Sequence, residues 1–257
     1  MPVSYEDVRH YSAGVVDQRQ ESVAEECPVA IEYNGISHVV MMATPKDLDD
    51  FAVGFSLSEG IVDRIADIYD REIVVAENGV SVSLRIANNC FARLKQRKRN
   101  LAGRTGCGLC GVDSLAQVRR QLRPLQRRDA IDFALIHRVL PGLSVMQPLF
   151  CQTGATHAAF WVTDDGEVAV AREDVGRHNA IDKLIGALAI AGTDFSRGAV
   201  LMTSRASFEI VQKAAAAGIG VVAAISAPTA LAIQVAEELN VSLVGFMRSE
   251  GYTVYTE

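Results

Sequence analysis

The sequence predicts an α/β fold joined to a smaller β-rich unit at its N-terminal end. In the last third of the chain, short apolar runs of strand length alternate with stretches of helical periodicity. Strands that are connected by helices run parallel and need cover on both faces, so a mixed, mostly parallel sheet is expected there. Nearer the N-terminus, apolar runs flank Asn-Gly pairs instead, which is typical of β-hairpins. We therefore expect two units, residues 1–125 and residues 126–257.

The N-terminal unit is predicted to contain two hairpins with one helix between them. The hairpins turn at Asn34–Gly35 and at Asn78–Gly79, because this dipeptide favours the type I′ turn. Between them, Thr44 has the features of a helix N-cap, and Pro45 follows at the first helical position. The helix is expected to end at Gly60, since glycine is the commonest residue just beyond a helix.

A basic stretch, residues 91–104, follows the second hairpin and contains no acidic residue. A loop over residues 93–110 is predicted to be mobile, because it is rich in glycine, charged and poor in apolar residues. The loop contains a cysteine pair, Cys107 and Cys110, that is framed by glycines. A helix is expected directly after the pair, over residues 112–122.

The C-terminal unit begins with a third hairpin and continues as a βα alternation. The hairpin is predicted to turn at Asp165–Gly166, and a long amphipathic helix should follow over residues 175–192. The remaining elements are predicted as strands at 199–203, 221–225 and 241–246 and helices at 207–217 and 228–239.

Composition excludes several broad classes of protein. The chain has 257 residues, of which 49% are hydrophobic, and a formal net charge of −6, which is not the charge of a general nucleic-acid binder. The longest apolar run, residues 214–225, is too short to cross a membrane. No secretory signal pattern is present at the start, so a cytoplasmic location with reduced thiols is expected for the five cysteines.

The cysteine pair has the C-x-x-C spacing, and its position before a predicted helix favours a reactive thiolate. A helix N-terminus and nearby basic residues both lower the pKa of a thiol, and the glycines let another molecule approach the backbone. Three other interpretations stay open. The pair could be half of a zinc site that recruits Cys90, Cys151 or His157 singly, a thioredoxin-type dithiol, or two small buried side chains.

Polar side chains cluster where the predicted parallel strands end. Ligands of open α/β sheets bind beyond the carboxyl ends of the strands, and hydroxyls, helix N-termini and arginines suit phosphates and ribose. A serine or threonine at a helix start can also be only an N-cap, and charged residues along a helix can simply pair with each other. The candidate residues are Arg205, Ser207, Ser226, Arg248, His157, and, at the start of the long helix, Asp174, Arg177, His178, Asn179, Asp182 and Lys183.

Five sequence blocks resemble the signatures of the FdhD/NarQ family of formate dehydrogenase accessory sulfurtransferases. They are RTGCGLCGVDSL, TGATHAA, EDVGRHNAIDKLIG, SRASFEIVQKAAAAGI and SAPTALAIQVAEE, in this order along the chain. The resemblance implies a three-layer α/β/α domain similar to cytidine deaminases, without their zinc motif and with no metal of its own. It also implies a homodimer, and the composition described above predicts no nucleic-acid or membrane partner.

The resemblance further implies a sulfur carrier. A cysteine desulfurase would supply persulfide sulfur to Cys107, assisted by Cys110, and the sulfur would pass to the molybdenum cofactor, bis(molybdopterin guanine dinucleotide), for formate dehydrogenase. A GDP-like guanine nucleotide would be a surrogate for that bound substrate. Two alternatives stay open, a non-catalytic chaperone of the cofactor and a zinc-stabilised binding module. The implied contacts to the guanine dinucleotide are Phe246, Met247, Arg248, Ser249, Glu250 and Gly251.

Overall fold

The computed structural model describes residues 1–102, 120–126 and 132–257 and shows a mixed α/β fold. Cys107, Cys110 and most of the helix predicted at 112–122 lie outside the described residues. The strands are β1 (Val3–Ser12), β2 (Val15–Ala24), β3 (Cys27–Tyr33), β4 (Ile36–Ala43), β5 (Ile68–Ala76), β6 (Gly79–Ile86), β7 (His157–Thr163), β8 (Val168–Asp174), β9 (Gly198–Met202), β10 (Val221–Ala224), β11 (Ser242–Arg248) and β12 (Gly251–Thr256). The helices are α1 (Leu48–Ser58), α2 (Asn88–Ala102), α3 (Phe133–Arg138), α4 (Pro148–Thr153), α5 (Arg177–Ile190), α6 (Phe208–Ala217) and α7 (Ala230–Leu239).

The largest sheet has six strands in the order β12-β11-β10-β9-β7-β8. The βα alternation is confirmed, because β9, β10 and β11 are parallel and α6 and α7 connect them. The prediction of a mostly parallel sheet is wrong, because β7 is antiparallel to both of its neighbours and β12 is antiparallel to β11. The chain enters and leaves this sheet through hairpins, and the strands of a hairpin are antiparallel.

Apolar side chains fill both faces of the six-stranded sheet. On one face, residues of α5, α6 and α7 pack around Trp161, Val200 and Met202. On the other face, Ile136 of α3 and Leu143 of a short 3₁₀-helix pack against alternate residues of the same strands. The similarity to cytidine deaminases stays a prediction, as does the domain boundary at residue 125.

A second core lies under a four-stranded sheet with the order β4-β3-β6-β5. Both predicted hairpins are present, and Asn34 and Gly35 have the positive φ angles, 49° and 78°, that a type I′ turn needs. The second hairpin turns at Glu77 and Asn78, one residue earlier than predicted, because Gly79 pairs with Ala76 as the first residue of β6. Cys90 and Leu94 of α2 are buried in this core, four residues apart on one face of the helix. The prediction of a loop over 93–110 is therefore wrong as far as Ala102, because arginine, lysine, leucine and alanine are good helix formers.

Two N-terminal strands, β1 and β2, form a hairpin that the sequence analysis did not identify. The hairpin turns at Ala13 and Gly14, and most of its residues are exposed on both faces. It therefore lacks the alternation of apolar and polar residues that marks a half-buried strand. Among the described residues, no helix is both long and apolar enough to cross a membrane.

Helices α1 and α5 cross in close contact and join the two cores. A side chain at Gly54 would overlap the backbone of Asp182, and one at Gly186 would overlap the backbone of Asp50. Only glycine allows helix backbones to approach this closely. The long helix was predicted to be amphipathic, but residues 179–189 of α5 are all buried, because α1 covers the side that faces away from the sheet.

Candidate functional site

The loops that follow the three parallel strands meet at one edge of the six-stranded sheet. Ala206, after β9, pairs with Pro228, after β10, and the amide of Thr229 donates to the carbonyl of Ala206 at 3.1 Å. The amide of Phe246 donates to the carbonyl of Ser226 at 3.2 Å. Because β7 runs antiparallel to β9, its first residue, His157, lies at this edge too. We call these loops, with the start of α5, the carboxyl edge.

The start of α5 supplies cationic and imidazole groups to the carboxyl edge. The Arg177 Nε atom is buried and has no hydrogen-bond partner among the residues that the structure describes. Burial, reinforced by the charge of Arg177, lowers the pKa of His157. Burial also lowers the pKa of His178, although its Nε2 lies 2.8 Å from a Glu209 carboxylate oxygen. A buried guanidinium nitrogen without a partner can donate to an anionic ligand.

The start of α6 lies next to His178. Ser207 is the N-cap residue, as predicted, but its hydroxyl donates to Glu209 at 3.4 Å and caps no helix amide. Thr229 is a true cap of α7, because its hydroxyl oxygen accepts from the amide of Ala232 at 3.2 Å. Arg205 is exposed and precedes α6. The α6 terminus therefore keeps amides that no side chain caps, beside an exposed arginine, a combination that favours anions.

The segment predicted to contact the guanine dinucleotide divides into exposed and buried residues. The Phe246 side chain is 39% exposed and its φ is +50°, a strained angle for a bulky residue. The Arg248 guanidinium lies 5.4 Å from the Phe246 ring centre. Met247 is fully buried in the core and cannot offer its side chain to a ligand. Ser249 and Glu250 form the exposed turn into β12, and the half-buried Gly251 is the first residue of that strand.

The block EDVGRHNAIDK does not act as one pocket. Asp174 and Lys183 form a fully buried ion pair, with 2.7 Å between Oδ2 and Nζ. Thr44, predicted as a helix cap, is bound there instead: its amide donates to Asp174 at 3.0 Å and its carbonyl accepts from Lys183 at 3.0 Å. Helix α1 consequently begins three residues later than predicted, at Leu48.

A second buried cluster joins α1, α5 and α6. The Lys213 ammonium donates to Asp182 at 2.9 Å, to Glu59 at 2.7 Å and to the Ser58 hydroxyl at 3.1 Å. Burial raises the pKa of Asp182 to about 6. Burial would also raise the pKa of Glu59, but the Lys213 charge outweighs it and lowers that pKa. Asp182 is thus a structural residue, whereas Arg177 and His178 of the same block reach the carboxyl edge.

The chain directly after the cysteine segment is bound to α6. The Arg120 amide donates to the side-chain oxygen of Gln212 at 2.7 Å. Glu209, at the carboxyl edge, precedes Gln212 by three residues, about 4.5 Å along the axis. Gln212 lies in the middle of α6, so the Arg120 backbone is bound halfway along that helix.

The cysteines considered as extra zinc ligands lie in different environments. Cys90 is buried, and its sulfur lies within 4.8 Å of ligand atoms of Asp63 and Asp67. The Arg93 guanidinium contacts both Asp63, at 2.9 Å, and the Cys90 sulfur, at 3.5 Å, which supplies a cation to this group already. Cys151 is exposed on α4.

Several residues of these clusters were missed by sequence reasoning. Glu209 and Lys213 are four residues apart on α6, a spacing that only suggests a surface pair. Glu173 accepts hydrogen bonds from the amides of Leu149 and Phe150 at 3.0 and 2.7 Å and thereby caps α4 from a distant strand. Because these partners are remote in sequence, no local pattern identifies them.

Known proteins resemble this chain along almost its whole length. The model of the FdhD/NarQ family matches residues 24–257. "Sulfur carrier protein FdhD" of Cupriavidus necator is 55% identical over 248 residues, covering 96% of this chain and 86% of that protein. The protein of the same name from Bordetella petrii is 53% identical over 245 residues, covering 95% and 88%.

A solved structure agrees with these matches. The crystal structure of a protein from Desulfotalea psychrophila, described as a formate dehydrogenase accessory protein, superposes with a TM-score of 0.76 at 26% identity. The superposition covers 100% of this chain and 98% of that one. Sequence and structure therefore lead to the same conclusion: the chain belongs to the FdhD/NarQ family.

Proposed function

We propose that this protein is a sulfur carrier that serves formate dehydrogenase. Relatives more than half identical to it are named sulfur carrier proteins, and the cysteine pair that the resemblance assigns to sulfur is present as Cys107 and Cys110. The observation that carries the proposal is that the Cys107–Cys110 pair lies in a chain more than half identical to proteins named sulfur carriers.

The proposed reaction transfers one sulfane sulfur. The Cys107 thiolate attacks the outer sulfur of a cysteine persulfide on a cysteine desulfurase. A new S–S bond forms on Cys107, the S–S bond of the donor breaks, and the donor cysteine leaves as a thiolate. The donor sulfur takes the electron pair of the broken bond, so the transfer needs no external oxidant. Cys110 assists by attacking the Cys107 persulfide or by passing the sulfur onward.

The proposed acceptor is the molybdenum cofactor, bound as a substrate at the carboxyl edge by its guanine dinucleotide groups. The uncapped start of α6, the Arg177 Nε atom, which has no partner among the described residues, and the exposed Arg248 favour the phosphates. The exposed Phe246 ring offers a stacking surface for a guanine base. The proposed site is completed by His157, His178, Arg205, Ser207 and Ser226, and a GDP-like nucleotide would bind there too. The active form would be a cytoplasmic homodimer with a deaminase-like domain.

Mass spectrometry tests the carrier chemistry directly. The protein is incubated with a cysteine desulfurase and free cysteine, without reductant, and its peptides are weighed. We expect a reducible gain of one sulfur on the peptide that holds Cys107 and Cys110, and loss of that gain in Cys107→Ala. Cys151→Ala is the matched control, because it removes an exposed thiol elsewhere.

Guanine-nucleotide binding to the same variants separates the carrier from its alternatives. No sulfur on the cysteine peptide of a protein that binds GDP would favour a cofactor chaperone. Unfolding of both Cys107→Ala and Cys110→Ala, together with stoichiometric zinc in the wild type, would favour the zinc-stabilised module.

A further inference from the structure

A β-bulge near the end of β11 determines which of its side chains reach the carboxyl edge. Two residues of β11, Phe246 and Met247, lie opposite a single residue of β12, Tyr252. Val244 and Met247 are three residues apart and nevertheless pack in the same core cluster, whereas in a regular strand they would lie on opposite faces. The bulge therefore turns Met247 into the core and leaves the Phe246 ring exposed.

The backbone of the bulge is strained and needs support from its neighbours. Phe246 has a φ of +50°, a left-handed conformation that is unfavourable for a bulky side chain. Such a conformation persists only where the surrounding structure holds it, and it is commonest at functional sites. The Phe246 amide donates to the carbonyl of Ser226 at 3.2 Å, which fixes the bulge on the side of β10.

His137, in the last turn of α3, supports the bulge from the other side. Its Nε2 atom lies 2.7 Å from the carbonyl oxygen of Arg248, and because a carbonyl can only accept, the imidazole is the donor. The imidazole also packs against the Tyr252 ring, with 5.7 Å between the ring centres, and Phe133 of the same helix contacts that ring edge-on at 6.3 Å. Helix α3 thus contacts both strands of the hairpin, beside and opposite the bulge.

We propose that His137 is a positioning residue for the guanine nucleotide: it fixes the bulge so that the Phe246 ring and the Arg248 guanidinium are in place before the nucleotide binds. The inference rests on the proposed nucleotide site at the carboxyl edge. The Arg248 guanidinium lies 5.4 Å from the centre of the Phe246 ring, and its Nε donates to the carbonyl of Ile225 at 3.5 Å. Groups that are already held in place lose little conformational freedom on binding, which raises the affinity for the ligand.

The test measures GDP affinity and local backbone opening in the same variants. Affinity is measured by calorimetry, and backbone opening by hydrogen exchange, followed by mass spectrometry on the peptide that contains residues 246–251 in the absence of nucleotide. The variants are His137→Ala, His137→Gln, Phe246→Ala and the double variant of His137→Ala with Phe246→Ala. The control is Arg138→Ala, which removes the neighbouring exposed side chain of α3.

We expect His137→Ala to weaken GDP binding by about 5- to 30-fold and to speed hydrogen exchange of the peptide, because one of the two supports of the bulge is lost. His137→Gln should restore part of the affinity, since a side-chain amide can also donate to the Arg248 carbonyl. If His137 acts through the Phe246 ring, the loss of affinity in the double variant should be smaller than the product of the two single losses. Arg138→Ala should stay within about two-fold of wild type.

Three results would each overturn the inference: an unchanged GDP affinity of His137→Ala, an unchanged hydrogen exchange of its 246–251 peptide, or single losses that multiply in the double variant. A wild type that binds no GDP would overturn the proposed nucleotide site together with the inference. GDP binding that is unaffected by His137→Ala would leave the nucleotide site in place and exclude only the role of His137.

Discussion

Replacement of Lys183 by methionine should strongly destabilise the protein. The Lys183 ammonium is fully buried and lies 2.7 Å from the equally buried Asp174 carboxylate. Removal of one partner of a buried ion pair leaves the other charge uncompensated and costs about 3–5 kcal/mol of unfolding free energy. Asp174 would retain hydrogen bonds from Thr44, Gly176 and Asn179, at 3.0, 2.8 and 2.9 Å, which places the expected loss near the lower end, about 3 kcal/mol.

The single tryptophan, Trp161, offers the assay. Its ring is buried against α5, so its fluorescence reports the packing of the helix that carries Lys183. A loss of about 3 kcal/mol corresponds to a decrease in Tm of about 6–12 °C in a protein of this size. Lys46→Met is the matched control, because Lys46 is exposed, and it should change the unfolding free energy by less than about 0.5 kcal/mol.

A small effect would refute this reasoning. If Lys183→Met lowers the unfolding free energy by less than about 1 kcal/mol, the pair does not hold α5 to Thr44 as described. In that case Lys183 would be a residue of a ligand pocket, as its sequence block first suggested. Persulfide loading of the folded variant distinguishes the two roles, because a structural lysine leaves it unchanged below the unfolding temperature.

Three further predictions concern the helix crossing, the second buried cluster and the carboxyl edge. Gly186→Ala should cost at least about 1–3 kcal/mol in chemical unfolding, because its Cβ would overlap the backbone of α1, whereas Gly142→Ala has open space and should be nearly neutral; equal effects would contradict the close crossing. Burial raises the pKa of Asp182 from 3.8 to about 6, so the folded state favours the protonated carboxyl group. The unfolding free energy should therefore be highest below about pH 4 and should fall by about 3 kcal/mol as the pH rises through about 6. Between pH 4 and 7 the unfolding free energy should fall more in wild type than in Asp182→Asn, and equal decreases would show that Asp182 is not the cause. Phe246→Ala should weaken GDP binding, measured by calorimetry, by about 5- to 100-fold, because a ring that stacks on the base is lost. The control Tyr69→Ala, which removes a distant exposed ring, should leave the affinity unchanged. Equal GDP affinities of Phe246→Ala and wild type would show that the Phe246 ring does not contact the nucleotide.

Local patterns predicted those elements whose geometry depends on neighbours in the sequence. Asn34–Gly35 adopts the turn that its dipeptide favours, and the βα alternation after β9 appears as its periodicity indicated. The sequence did not reveal β1, β2 or β12. The first two strands have no buried face to impose an alternating pattern, and β12 exists because β11 offers it an open edge.

The candidate site, too, was predicted in part from local patterns and in part only revealed by the tertiary structure. The glycine-framed Cys107–Cys110 pair and the family blocks were apparent from residue types and spacing, because reactive thiols and helix starts have local signatures. Within one of those blocks, however, Arg177 and His178 reach the carboxyl edge while Asp182 is enclosed beneath α1. Neighbouring residues on a helix point in different directions, and only the packing partner decides which of them is buried.

The sequence by itself determined the family, the hairpins with a buried face, the parallel βα core and the spacing of the cysteine pair. Only the tertiary structure decided that Thr44 binds a buried ion pair and that two glycines let α1 and α5 cross. The reason is physical. Turns, helix periodicity and thiol chemistry depend on a few consecutive residues, whereas burial and charge compensation depend on groups that are distant in the chain and become neighbours only when it folds.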